Sequence, residues 1–98
     1  MTQRIIWGNV NADGSIHSGS GDFAITRTDN GVYMIQFNDD FTTTPAIVAS
    51  QVRWGDIGQK TADNVVFPFL NKNGATAITG DNSGNRTNRN FAFIAIGV

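Results

Sequence analysis

Apolar and polar residues alternate with a period of two through most of this chain, the spacing of strands with one buried face. Arg4 to Val10 predicts a first strand, and "NADGS" after it is a turn cluster. "GSIHSGSGD" is rich in Gly and Ser and reads as a short irregular edge strand or a loop. In "DFAITRTDNGVYMIQF", Phe23, Ile25 and Arg27 share one face, and Tyr33, Ile35 and Phe37 share another. Asp29-Asn30-Gly31 between them can supply the positive φ values of a hairpin turn. A strand is expected from about Ala46 to Trp54, followed by the loop "GDIGQKTA". "DNVVFPFL" is another strand, with Pro68 marking it as an edge or a bulge. "NKNG" turns the chain into "ATAITG", and a polar stretch, residues 80–90, leads to the closing "FAFIAIGV". About eight strands at such spacings predict one all-β domain over residues 1–98, an antiparallel β-sandwich or jelly roll.

Composition agrees with that reading. Glutamate is absent, leucine occurs only at Leu70, and the apolar residues are mainly Ile, Val, Phe and Ala. Helix formers are scarce, and β-branched and aromatic residues are favoured. The 98 residues suit a single core. A net charge of −1 gives no general attraction to nucleic acid or anionic membrane. No apolar run reaches the ~18 residues of a membrane span, and the N-terminus lacks a signal-peptide h-region. The expected protein is soluble where it is made. Without cysteine, neither disulfides nor thiolate metal sites are available.

The last strand departs from simple alternation. Phe91, Phe93 and Ala95 fall on one face, and Ala92, Ile94, Ile96 and Val98 on the other. The outer face of a sandwich strand normally meets water and is polar. Val65-Val66-Phe67 has the same two-faced character. Two explanations fit. Ala92, Ile94, Ile96 and Val98 form the interface of a homo-oligomer, or the sheet closes into a barrel whose long side chains cover the strand.

Two segments resemble a known pattern. "SGSGDFAITRTDNGVYMIQFNDDFTTTPAIVAS" is similar to G-F-x-V-x-R-x-x-x-G-x-Y-x-I-x-F-x-x-x-F-x-x-x-P-x-V, and "TGDNSGNRTNRNFAFIAIG" is similar to a closing T-G-x-x-x-G-x-x-x-x-R-x-F-x-F-x-A-x-G. Both resemble the C-terminal β-sandwich domains of bacterial collagen-like proteins and of phage tail-fibre or tail-tip proteins. The resemblance spans about Gly19 to Val98 and implies a commonly trimeric module acting in assembly or surface attachment. A weaker likeness, from "VYMIQFNDDFTTTPAIVAS" onward, is to the H-type lectins, oligomeric sandwiches that bind N-acetylgalactosamine-like sugars. No site residue carries over from that family.

Candidate binding residues lie in two polar loops. Asp81, Asn82, Asn85, Arg86, Asn88 and Arg89 present the donors and acceptors that read sugar hydroxyls. The same residues suit an ordinary connector, where Asn, Gly and Ser close turns through their own side chains. Arg89, beside the apolar strand, also suits an ion pair with an aspartate across a subunit interface, or the rim of that interface. In "RWGDIGQKTADN", Trp54 is a candidate stacking platform for a sugar ring, with Asp56 and Asp63 as hydroxyl partners. Alternation instead places Trp54 with Val48, Ser50 and Val52, in core or interface. Trp7, beside Ile5 and Ile6, reads as packing.

Catalytic and metal readings find little support. Asp39 and Asp40 are adjacent, so in a strand their side chains diverge, and a cap or turn role is expected. The EF-hand spacing is absent around them and in "DNSGN". His17 is the single histidine, and only three copies meeting on a symmetry axis would make it a metal site. Neither Gly-x-Ser-x-Gly nor a P-loop occurs, and Asp13-Gly14-Ser15 has the wrong order for an aspartic-protease triplet. Asn85-Arg86-Thr87 fits a glycosylation sequon, relevant only to a secreted eukaryotic protein. The expected function is a non-enzymatic attachment or assembly module without cofactor, a homo-oligomer and most simply a trimer, whose partner beyond itself is a cell-surface glycan. The alternative is a purely structural trimerisation or virion-assembly domain.

Overall fold

A computed structural model describes residues 2–98. Eight strands follow in order: β1 (Arg4–Val10), β2 (Ile16–Gly19), β3 (Phe23–Asp29), β4 (Val32–Phe37), β5 (Ala46–Gln51), β6 (Asn64–Asn71), β7 (Gly74–Gly80) and β8 (Phe91–Gly97). They form two antiparallel four-stranded sheets, ordered β2-β1-β8-β5 and β3-β4-β7-β6. The pairs β1–β2, β3–β4 and β6–β7 are hairpins within a sheet, and the other connections cross between sheets. The all-β β-sandwich expected from alternation is what the chain forms.

The core is the space between the sheets. One sheet contributes Ile6, Val10, Phe91, Phe93 and Ala95, and the other Phe23, Tyr33, Ile35, Phe37, Val65 and Ala77. Phe41, from the connection between β4 and β5, joins the same cluster. Aromatic rings meet edge-on across the gap, Phe23 with Phe93 and Tyr33 with Phe91, each pair with centroids 5.1 Å apart. Gly8 makes room for this contact: a Cβ there would lie 2.4 Å from Cζ of Phe23.

Local chemistry explains most boundaries. In the β3–β4 turn only Gly31 takes a positive φ, 71°, while Asp29 Oδ1 accepts the Asn30 N–H. A register shift between Arg27 and Asp29 absorbs the extra residue, so Asp29 and Asn30 need no left-handed backbone. β5 ends at Gln51, three residues short of the expected Trp54. Past Gln51 the ladder with β8 stops, because β8 begins at Phe91 opposite Gln51. Pro68 marks both an edge and a bulge: β6 borders its sheet, and its register with β7 shifts between Val66 and Phe69.

The barrel explanation of β8 does not hold. The sheets are separate and open-edged, and Ile94, on an inner strand, keeps 48% of its surface exposed. The tight contact over Gly8 gives a first test. Gly8→Ala forces Phe23 out of its slot and is expected to cost about 1–3 kcal/mol, read as a lower urea midpoint at unchanged slope.

Candidate functional site

The stretch from Gly80 to Asn90 is a crossover between sheets, and its polar side chains are largely occupied. Asp81 Oδ1 accepts the backbone N–H groups of Ser83 and Asn85, at 2.9 and 3.0 Å. Those bonds, the Asn85 N–H foremost, hold the Asp81 carboxyl below the ordinary carboxylate value. Asn85 Nδ2 also points to Asp81, at 3.4 Å. Asn88 Oδ1 accepts the Gly31 N–H at 2.7 Å, and Asn90 Oδ1 accepts the Ala12 N–H at 2.8 Å. From the β3–β4 turn, Asn30 Nδ2 donates to the Arg86 carbonyl at 2.9 Å. Thr79, fully buried, donates its hydroxyl to the Thr87 carbonyl. This is the turn-closing use of Asn and Asp, applied to hold three connections together. Asn82 and Arg86 stand apart, on the rim of a cavity of about 380 Å³ that also touches Val66 and Ile78.

Arg89 does meet an aspartate, in its own chain. Its guanidinium lies 3.1 Å from Asp63 Oδ2 and 3.2 Å from Gln51 Oε1. Gln51 in turn accepts from Gln59 Nε2 and donates to the carbonyls of Asn64 and Gly80. The Asp63 side chain is only 4% exposed, and its Oδ1 is buried without a hydrogen-bond partner among the described residues. The Lys60 N–H, more than the Arg89 guanidinium, holds its carboxyl below the ordinary range. The network fastens the long connection between β5 and β6 to the start of β8.

Trp54 sits in that connection, half exposed, beyond the end of β5. Its indole stacks on the His17 ring of β2, with centroids 4.7 Å apart and planes at 20°. Asp56 is near in sequence but closes a turn, accepting from Arg53 Nε at 2.9 Å and the Gly58 N–H at 2.8 Å. Both contacts lower its pKa, the Gly58 N–H most. The structure therefore leaves Trp54 open to solvent, while Asp63 faces inward.

The outer face of the β2-β1-β8-β5 sheet carries a second arrangement. Cross-strand register aligns Ile5, Ile96 and Ala46 in one row and Trp7, Ile94 and Val48 in the next. Val48 is 67% exposed, and Ile5, Trp7 and Ile94 are each about half exposed. A third row, Asn9, Ala92 and Ser50, gives the patch a polar border. Ile94 and Ile96 thus lie where strand alternation put them, with Ala92 at the border. Val98 lies past the strand end, its carbonyl accepting the Thr42 N–H. Ile5, Trp7 and Val48 were missed as partners of Ile94, although the odd-numbered positions of β1 alternate with buried Ile6, Gly8 and Val10.

Acid should loosen the Asp63 network. A carboxyl whose folded pKa lies below its unfolded value adds stability above that unfolded value, and loses it as pH falls through the folded one. Stability is therefore expected to be level above about pH 5 and to drop below 3.8, in urea midpoints measured across that range. Asp63→Asn should shrink the drop while lowering stability at neutral pH, because Arg89 loses its charged partner. No protein-family model matches the chain, and neither a curated protein nor a solved structure matches it.

Proposed function

We propose that this protein is a non-enzymatic, self-assembling attachment module, built as a trimer of the kind found at fibre tips or in lectin-like proteins. The observation that carries the reading is the apolar outer face around Ile94. An isoleucine on an inner strand, flanked by Trp7 and Val48 and bare of charge, loses exposed apolar surface when a second copy covers it. The patch is a continuous set of rows on three neighbouring strands, so three copies can turn it toward one symmetry axis, each covering part of its neighbour's face. Attachment then gains from number: several weak glycan sites on one rigid body act together on a surface.

Trp54 supports the glycan part of this reading, since a half-exposed indole offers a sugar an apolar face and an N–H. Asn82 and Arg86 are the members of the crossover stretch best placed to add polar contacts. A purely structural assembly domain is the competing reading; it shares the interface and has no ligand.

Light scattering on a sizing column at two dilutions tests the assembly. The wild-type chain should run at a concentration-independent mass near three times 10.6 kDa. Ile94→Asp, which places a charge in the middle of the patch, should run at the single-chain mass with an unchanged β-sheet spectrum. A folded wild-type monomer would sink the proposal.

A further inference from the structure

The outer face of the β3-β4-β7-β6 sheet differs in kind from its opposite number. Register sets Phe69, Thr76, Met34 and Thr26 in one row across all four strands. The adjacent row reads Asn71, Gly74, Gln36 and Ala24. Gly74 and Ala24 rise little above the sheet, so the second row is a trough. Phe69 and Met34 form one wall, and Asn38, Asp40, Asn71 and Asn73 form the other. The hollow measures about 500 Å³. Gly74 is held small, because a Cβ there would lie 2.3 Å from the Ile35 carbonyl oxygen.

Phe69 reaches this wall because of the bulge at Pro68. In unbroken alternation Val65, Phe67 and Phe69 would all face the core. Val65 is buried and Phe67 packs against the core, but the register shift between Val66 and Phe69 turns Phe69 outward. It pairs with Thr76 on the outer face and is 67% exposed. Leu70 opposite Ala75 then returns to the inner side. A bulge that re-aims an aromatic ring toward solvent beside a hollow is a costly arrangement for packing alone.

Most polar side chains here are free, unlike those of the 80–90 crossover. Asn71 Oδ1 accepts the Asn73 N–H. Among the described residues, the side chains of Gln36, Asn38, Asn73 and Asp40 have no hydrogen-bond partner, and all four line the hollow. Amides both donate and accept, which matches the hydroxyl group. Lysine, arginine and histidine are missing from the lining, and Asp40 supplies its one carboxylate. An anionic ligand would find no counter-charge within that lining, since Lys72, between Asn71 and Asn73 in the turn, stands outside it.

We propose that this trough is a binding site for a neutral saccharide, with the apolar face of one sugar ring on Phe69 and Met34 and its hydroxyls on Gln36, Asn71 and Asn73. The site rests on the attachment part of the function proposed above, and is independent of the assembly interface on the opposite sheet. Assembly through that other sheet leaves the trough facing outward on every copy.

A printed array of neutral, sialylated and sulfated oligosaccharides, followed by calorimetric titration of a retained neutral one, tests the site. Phe69→Ala and Gln36→Ala alter solvent-exposed side chains, and their spectra and masses should match wild type. Wild type should retain neutral saccharides, Phe69→Ala should bind about tenfold more weakly, and Gln36→Ala a few-fold more weakly. Retention abolished by Trp54→Ala and unaffected by Phe69→Ala would overturn the trough and keep the attachment reading. An array that retains nothing would overturn both. A preference for sialylated or sulfated sugars would overturn the neutral ligand. A change of oligomeric mass on Phe69→Ala, with saccharide binding intact, would make the trough a contact between copies and overturn the site.

Discussion

The interlock of aromatic rings across the two sheets is the contact on which the rest of this molecule depends. A two-sheet domain of this size has one thin layer in which to bury apolar surface, and large rings fill it with few residues. Phe91 and Phe93, two positions apart on β8, each meet a ring from the opposite sheet, Tyr33 and Phe23. These contacts fix the sideways position of one sheet over the other. They also fix where the inner face of β8 ends, and so which residues are left to face outward. With Phe91, Phe93 and Ala95 committed to the core, Ile94 and Ile96 have no choice of side.

Polarity in the loops follows from the same geometry. A chain that crosses between sheets leaves the hydrogen-bond ladder at each crossing, and its backbone groups need other partners. Tyr33, buried in the core, donates its hydroxyl to the Ala12 carbonyl at 2.7 Å and accepts the Arg89 N–H at 3.2 Å. Burial pushes the pKa of that phenol up. One side chain thus joins the aromatic layer to two connections. Asn88 and Asn90 of the crossover extend this, their amide oxygens accepting backbone N–H groups of neighbouring turns. Much of what looks like a recognition surface in the sequence is carpentry.

Strand number, the β3–β4 hairpin, the edge character of β6 and the two-faced nature of β8 were legible in the sequence, because each depends on alternation or on a local rule for Pro and Gly. Cross-strand register was not. Trp7, Ile94 and Val48 form one row only once β1 and β5 flank β8, and no local pattern states that order. Trp54 was ambiguous for a related reason: its alternation with Val48 and Val52 counts only while β5 continues, and β5 stops first. Asp63 and Arg89 lie 26 residues apart and come together through the fold. The bulge at Pro68 could be anticipated; that it would rotate Phe69 away from the core required knowing the ladder on either side.

Pro68 has one more consequence. Every open sheet has borders whose unpaired backbone groups invite a strand from another molecule. Along β6 that invitation is interrupted in mid-strand, where proline offers no N–H and the bulge bends the ladder. A neighbouring chain laid against this border would lose its register at the interruption. Such a border resists the endless side-by-side growth of fibrils even in a crowded solution, where every copy carries sticky faces.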